Sequence, residues 1–248
     1  MPVEIFPLPG LPEIKPGDDI AAAIAQAVRA NDMRVAEDDI FVAAQKIVSK
    51  AEGRIVRLDH IEPSERARLW AEEWNKDARV VELVLRESKR IVRMERGVII
   101  AETRHGFVCA NAGIDISNAE AETAILLPAD PDASARALHA ALSKAFACHV
   151  GVIVSDTFGR AWREGLVNVA LGVAGLNPLI DYRGQTDANG KPLQATVIAI
   201  ADELAAAAEL VMGKSDRIPV AIIKGAKIVS RSGSGADLIR TSGKDLFR

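Results

Sequence analysis

The run Gly151-Val152-Ile153-Val154 constrains the fold most, because apolar residues without alternation are typical of a strand that is covered on both faces. It follows an Ala-rich segment, residues 132–147, whose composition and pattern predict a helix. A strand covered on both faces needs further elements packed on each side of its sheet. The run therefore predicts a layered structure that contains both helices and strands.

The remaining elements are marked by apolar clusters and by helix-capping residues. Asp19, Ser64 and Asp77 each precede a helical pattern and can accept hydrogen bonds from its first amides. A further helix is predicted over 202–212, with Gly213 at its end. The other predicted strands are 40–44, 98–101, 107–110, 167–173, 196–200 and 220–223. Because helices and strands do not alternate strictly, we expect an α+β (mixed α/β) fold in a single unit, 1–248.

Composition excludes several classes of protein. The 248 residues are 49% apolar and 26% charged, which is typical of a globular chain and not of a disordered one. With 31 basic and 34 acidic side chains, the chain lacks the basic footprint of a nucleic-acid binder. The two cysteines are too few for a disulfide scaffold. No secretory signal and no apolar run of about 20 residues is evident, so we expect a cytoplasmic protein without a membrane partner.

The segment 155–160 is the first candidate site. Asp156 and Thr157 follow the buried strand, at the sheet edge where open sheets place their ligands. Their oxygen atoms are the ligands that Mg²⁺ prefers, and Arg160 and Arg163 can bind a phosphate or carboxylate group. The alternative is a solvated turn in which Asp156 pairs with Arg160.

The segment 111–118 is the second candidate. Small and amide residues surround Asp115 just after a predicted strand, so Asp115 can share a cation with Asp156, and Asn118 can reach a sugar or phosphate. The alternative is a side chain that caps a turn.

Two basic segments are candidates for phosphate binding. If residues 45–54 are extended, Lys46 and Lys50 lie on one face, which suits a polyphosphate or an ordinary edge strand. Gly213-Lys214-Ser215 ends like a phosphate loop, but residue 208 is Ala and a helix precedes it, so the pattern is not a phosphate loop. It remains a helix end whose lysine can contact phosphate.

Other catalytic patterns are missing. The four histidines have no metal-binding spacing, and the sequence contains no nucleophile elbow and no dinucleotide-binding glycine motif. The residues themselves therefore predict a divalent-metal and phosphate site and do not identify a reaction.

Several motifs occur together in one order along the chain. They are Gly10–Asp19, Lys46–Gly53, Pro63–Ala67, Asn111–Asn118, Leu126–Pro128, Ser155–Arg160, Ala201–Glu203 and Met212–Lys214. This order resembles the coenzyme F-420:L-glutamate ligase family (the F-420-0 gamma-glutamyl ligases), over about residues 1–225.

The resemblance implies a GTP-dependent ligase that joins L-glutamate to the zero-glutamate form of coenzyme F-420 through an acyl-phosphate. Further γ-linked glutamates can follow. It also implies a family-specific fold, an intertwined homodimer, two Mn²⁺ or Mg²⁺ ions per site, and a response to K⁺.

The resemblance assigns roles to individual positions. Asp115 and Asp156 match metal-holding carboxylates, and Thr157 matches a ligand of the second metal. Arg160 and Arg163 are candidate substrate contacts because of the chemistry of their own segment and not because of the resemblance. The positions implied in GTP binding are Leu11, Pro12, Glu13, Ile14, Gln45, Lys46, Lys50, Asn118, Met212, Gly213, Lys214 and Ser215.

Two positions depart from the family pattern. Some members have Ser-Thr where this chain has Gln45-Lys46, and some archaeal members have a metal-binding Glu where it has Lys214. An ammonium group cannot bind a cation, so the second metal would lose a protein ligand, and Lys214 can instead neutralise phosphate. Two alternatives remain open: a GTP-binding regulatory module without turnover, and a ligase for a different carboxylate acceptor.

Overall fold

A computed structural model describes residues 2–116, 122–228 and 230–245. Its helices and strands, in chain order, are β1 (Glu4–Pro7), α1 (Ile20–Ala30), β2 (Ile40–Ala44), α2 (Gln45–Ala51), β3 (Ile55–Arg57), α3 (Glu65–Trp74), α4 (Ala78–Glu87), β4 (Ser88–Glu95), β5 (Val98–Thr103), β6 (Val108–Ala110), β7 (Thr123–Ile125), α5 (Pro131–Phe146), β8 (Gly151–Arg160), β9 (Arg163–Ala174), β10 (Ile180–Asp181), β11 (Val197–Ile198), α6 (Ile200–Met212) and β12 (Val220–Lys224). The expected mixed α/β class is confirmed. Within the described ranges, no helix has the length and apolar character needed to cross a membrane.

The main sheet has five strands in the order β1-β12-β2-β8-β9. Strands β2 and β8 are parallel, and the other neighbouring pairs are antiparallel. The carboxyl ends of β2 and β8 therefore point the same way, and Ala44 is paired with Ser155 there. This shared edge positions the candidate site.

Helices cover both faces of the main sheet, as the run 151–154 predicts. Val152 and Val154 pack in a cluster with residues of α1, α2 and α5, whereas Ile153 packs in a separate cluster with residues of α6. All three side chains are fully buried. Because strand side chains alternate between faces, Ser155 and Thr157 continue the α6 side of β8, and Asp156 continues the side of α1, α2 and α5.

A second packing region is formed by residues 65–110, which lie in the sequence between strands β2 and β8 of the main sheet. Helices α3 and α4 pack on the three-stranded sheet β4-β5-β6 around their own apolar cluster. The expected caps are present: Ser64 accepts from Ala67 N, and Asp77 accepts from Arg79 N. The strands predicted over 98–101 and 107–110 correspond to β5 and β6, which are antiparallel neighbours.

Three local predictions were wrong. Residues 45–51 form helix α2 and not an extended segment, because the buried residues Gln45, Val48 and Ser49 recur at helical spacing. Strand β8 continues to Arg160, because antiparallel pairing with β9 satisfies its backbone well beyond the apolar run. The strand expected over 196–200 is limited to Val197–Ile198, and Ile200 begins α6.

Candidate functional site

A cavity of about 520 Å³ lies at the carboxyl end of β2, beside the middle of β8. The N-terminal loop, the start of α2, the middle of β8 and the loop after α6 form its walls. The lining residues that the sequence predicted are Leu11, Pro12, Glu13, Ile14, Gln45, Lys46, Lys50, Asp156, Thr157, Met212, Gly213 and Lys214. Segments about 200 residues apart in the chain thus line one cavity.

Helix α2 places two lysines on one wall of the cavity. Lys46 and Lys50 are four residues apart and therefore lie on one face of the helix. Lys50 Nζ lies 2.5 Å from Glu13 Oε1, and Lys46 Nζ lies 2.5 Å from Asp115 Oδ2. The expectation that the two lysines share a face is met by helical geometry, although the segment is not a strand.

Asp115 and Asp156 act on each other electrostatically beside Lys46. The pKa of Asp156 is raised to about 6, chiefly by burial of its carboxyl group and further by the negative charge of Asp115. The backbone amide of Thr157 and the ammonium groups of Lys46 and Lys214 lower the pKa and oppose that rise. Both carboxyl groups therefore lie close to the Lys46 ammonium group, in a setting that disfavours a second negative charge.

A closed hydrogen-bond network lies on the α6 side of β8. Thr157 Oγ1 donates to Asn168 Oδ1 at 2.6 Å and accepts from Lys214 Nζ at 2.5 Å. Asn168 Nδ2 donates to Glu209 Oε2 at 2.9 Å, and Lys214 Nζ lies 3.1 Å from Glu209 Oε1. The ammonium group of Lys214 thus contacts the hydroxyl group that the resemblance assigned to a second metal.

The cavity is also lined by polar residues that the sequence did not mark as site residues, among them Ser155, Asn168 and Glu209. Asn168 carried a signal, since it is a polar residue inside the apolar segment 167–173. Glu209 carried none that distinguishes it from other acidic residues on a helix surface, and neither did Ser155, a small polar residue at the end of an apolar run.

Other predicted site residues lie elsewhere. Arg160 and Arg163 are exposed at the tip of the β8–β9 hairpin, where Arg160 Nη2 donates to Glu164 O. Ser215 does not line the cavity and contacts Asp216. Asn118 lies outside the described residues, so its predicted role stays a prediction.

Comparisons with known proteins agree with the motif order. The family model described as F420-0:Gamma-glutamyl ligase matches residues 10–225. The chain is 45% identical to the coenzyme F420:L-glutamate ligase of Methanothermobacter thermautotrophicus, with all of both chains covered. It is 45% identical to the ligase of the same name from Methanopyrus kandleri, covering 99% of this chain and 98% of the relative. The Archaeoglobus fulgidus ligase is 40% identical, with 100% and 97% covered.

Proposed function

Because the chain belongs to the F420-0:gamma-glutamyl ligase family, we propose that it joins L-glutamate to the zero-glutamate form of coenzyme F-420 and uses GTP as co-substrate. The observation that carries the proposal is the cavity itself, which gathers the N-terminal loop, the start of α2 and the loop after α6 around Asp156. The names of the relatives support the acceptor and the amino acid.

The charges around the cavity favour a polyphosphate. Lys46, Lys50, Lys214 and Arg217 place four cationic side chains in its lining. In phosphoryl transfer, catalysis consists mainly of positioning the phosphate groups and stabilising their negative charge. These side chains can bind and orient a triphosphate without serving as nucleophiles.

The oxygen atoms of the site fit a divalent cation that arrives with the nucleotide. Over residues 2–116, 122–228 and 230–245, no three His, Cys, Asp or Glu side chains are grouped to hold a metal. Mg²⁺ commonly binds through one or two carboxylates, with substrate phosphates and water as its other ligands. Asp156, which lines the cavity, and Asp115, which would exchange its contact with Lys46 for the cation, are the proposed protein ligands. When bound, Mn²⁺ or Mg²⁺ supplies charge stabilisation at the phosphate oxygens.

A second cation is not favoured at Thr157. The hydroxyl group of Thr157 already accepts from Lys214 and donates to Asn168. We therefore assign the position of the second cation to the Lys214 ammonium group, a fixed positive charge that needs no metal.

The proposed reaction has two steps. An oxygen of the acceptor carboxylate attacks the γ-phosphorus of GTP, the bond to GDP breaks, and an acyl-phosphate forms. The amine of L-glutamate then attacks the acyl carbon and loses a proton, and phosphate leaves as the amide forms. The product again carries carboxylates, so further γ-linked glutamates can be added by the same steps.

Mass spectrometry tests the proposal directly. The protein, with GTP, Mn²⁺, K⁺ and L-glutamate, should convert the zero-glutamate coenzyme to a product heavier by a glutamyl unit. Lys50→Met should lower turnover by about 10²-fold, as expected for loss of one group that stabilises developing charge, and the exposed control Lys144→Met should not. Folded protein that yields no product rejects the proposal, and GTP binding without phosphate release would support a regulatory module instead.

The expected homodimer also belongs to this proposal. The β8–β9 hairpin carries Leu166 at 68% exposure, and α6 carries Leu210 at 84% exposure. We infer that another chain covers these exposed leucines. Light scattering should give twice the monomer mass, and Leu166→Glu should shift the protein toward monomer; a monomeric wild-type protein would contradict the dimer.

A further inference from the structure

The floor of the cavity contains two buried polar groups whose hydrogen-bonding capacity is unused. Gln45 and Ser155 are each 1% exposed, and both line the cavity. Within the described part of the chain, neither Gln45 Nε2 nor Ser155 Oγ has a hydrogen-bond partner. An unpaired buried polar group destabilises the folded protein, so such groups are uncommon in folded proteins.

In the described ranges, four buried side-chain nitrogen or oxygen atoms have no hydrogen-bond partner, and two of them are at this cavity. The other two are Trp70 Nε1 and His105 Nδ1, and neither residue lines this cavity. Two unpaired groups at one cavity indicate that a ligand completes their bonding.

The surrounding structure fixes both groups. Ser49, which is fully buried, donates its hydroxyl hydrogen to Gln45 Oε1 at 2.8 Å. This bond holds the oxygen end of the amide and leaves the NH₂ end as the free donor. Ser155 lies on β8 directly opposite Ala44, the last residue of β2, so the pairing of β2 with β8 brings the start of α2, which carries Gln45, beside Ser155.

The neighbours of the two donors indicate which part of a ligand they meet. Gln45 and Ser155 share the cavity lining with the cationic side chains of Lys46, Lys50, Lys214 and Arg217. An amide NH₂ and a hydroxyl group both donate to oxygen acceptors. Among these cationic side chains the expected acceptors are phosphate oxygens, and neutral donors can bind them beside the charged lysines.

The family resemblance already implies that Gln45 binds the nucleotide. We propose that Ser155 joins Gln45 in donating hydrogen bonds to phosphate oxygens of the nucleotide, and that Ser49 is a positioning residue that orients the Gln45 amide. The inference rests on the proposed function, since it takes the nucleoside triphosphate as substrate. It adds a neutral pair of donors to the lysines and carboxylates already described.

The first test separates a ligand contact from a structural role. We expect Ser155→Ala to weaken binding of GTP about threefold to tenfold, the range that corresponds to loss of one hydrogen bond. The thermal midpoint of the nucleotide-free protein should stay the same or rise, because an unpaired hydroxyl group has been removed. A structural role would give the reverse, with a lower midpoint and unchanged binding. Ser232→Ala, at an exposed serine, is the matched control.

The second test identifies the acceptor. Calorimetric titrations would compare GTP with inorganic tripolyphosphate for the wild-type protein, Ser155→Ala and Gln45→Glu. Equal weakening for both ligands supports phosphate contacts, and Gln45→Glu should weaken both by more than Ser155→Ala because a carboxylate repels phosphate. Weakening that appears only with GTP would place the contact at the base and overturn the inference.

The third test concerns Ser49. In wild-type background, Ser49→Ala should weaken GTP binding, whereas in the Gln45→Met background it should have no further effect, since the amide that it orients is gone. Additive effects would overturn the positioning role. If the wild-type protein binds GTP and the variants Ser155→Ala, Gln45→Glu and Ser49→Ala bind it equally well, the inference fails and the proposed function stands. If the wild-type protein binds neither GTP nor tripolyphosphate, both fail.

Discussion

Glu82 of α4 and Asp156 of β8 are both shielded carboxylates, yet the protein shifts their pKa values in opposite directions. Glu82 accepts from Ser64 Oγ at 2.6 Å, from Ser64 N at 3.0 Å and from Arg86 Nε at 2.8 Å. These bonds, above all those from Ser64, lower its pKa to about 2. Burial raises the pKa of Asp156 to about 6, even though Lys46 and Lys214 oppose the rise.

The difference separates a carboxylate that the chain itself compensates from one that we propose to receive its compensation from a ligand. Ser64 caps α3, so Glu82 joins the start of that helix to α4 and receives all its compensation from the chain. Asp156 faces a cavity, where burial and the negative charge of Asp115 outweigh the groups that stabilise its ionised form. A cation with a polyphosphate would supply the missing compensation. The two carboxylates should therefore respond in opposite ways to neutralisation.

The largest effect is expected for Asp156→Asn. Turnover should fall by about 10³-fold or more, because the chain loses one of two carboxylates proposed to hold the cation. The free energy of unfolding should stay the same or rise, since a poorly compensated buried charge has been removed. Product formation by mass spectrometry and urea denaturation at pH 7 measure the two quantities. A substantial loss of stability with turnover preserved would break the comparison.

Glu82→Gln should give the opposite result. We expect the free energy of unfolding to fall by about 1–2 kcal/mol, because a charged acceptor of three hydrogen bonds is replaced by a neutral one. Turnover should change by less than about twofold, since α4 does not line the cavity. The same two assays apply, with Glu95→Gln on β4 as a control at an exposed pair with Arg93.

The stabilisation from Glu82 should also depend on pH. Because its pKa is lower in the folded protein than in the unfolded chain, the contribution is complete above the ordinary value of about 4.5 and is lost as the pH falls toward 2. The stability difference between wild type and Glu82→Gln should therefore be constant from pH 7 to pH 5 and shrink below that. Urea denaturation across this range measures it; a difference that grows on acidification would contradict the assignment.

The sequence predicted those parts of the fold that depend on local signals. Capping at Asp19 and Ser64, and the doubly covered run 151–154, depend on neighbouring residues and were confirmed. Residues 46–50 were misread because lysines on one face satisfy both a strand at a spacing of two and a helix at a spacing of four. The buried residues Gln45, Val48 and Ser49, and not the lysines, favour a helix.

The candidate site depended on contacts that local patterns cannot specify. Lys46 meets Asp115 across 69 residues of sequence, and Lys214 meets Thr157 across 57. The family resemblance placed these segments in one site, but only the tertiary structure brings the Lys214 ammonium group onto the Thr157 hydroxyl. The unpaired state of Ser155 likewise depends on everything packed around it.

The smallest effect expected concerns the cation alone. At a Mn²⁺ concentration about three times its Kd, binding to the folded state should add about 0.8 kcal/mol to the stability of the wild-type protein. The Glu82→Gln variant should gain the same increment of stability, because residue 82 lies outside the cavity, whereas the Asp156→Asn variant should gain little stability. Thermal denaturation with Mn²⁺ and after chelation measures the increment for each protein. Equal gains in all three would mean that Mn²⁺ binds elsewhere, and the contrast between the two carboxylates would then reflect burial alone and not a site prepared for a ligand.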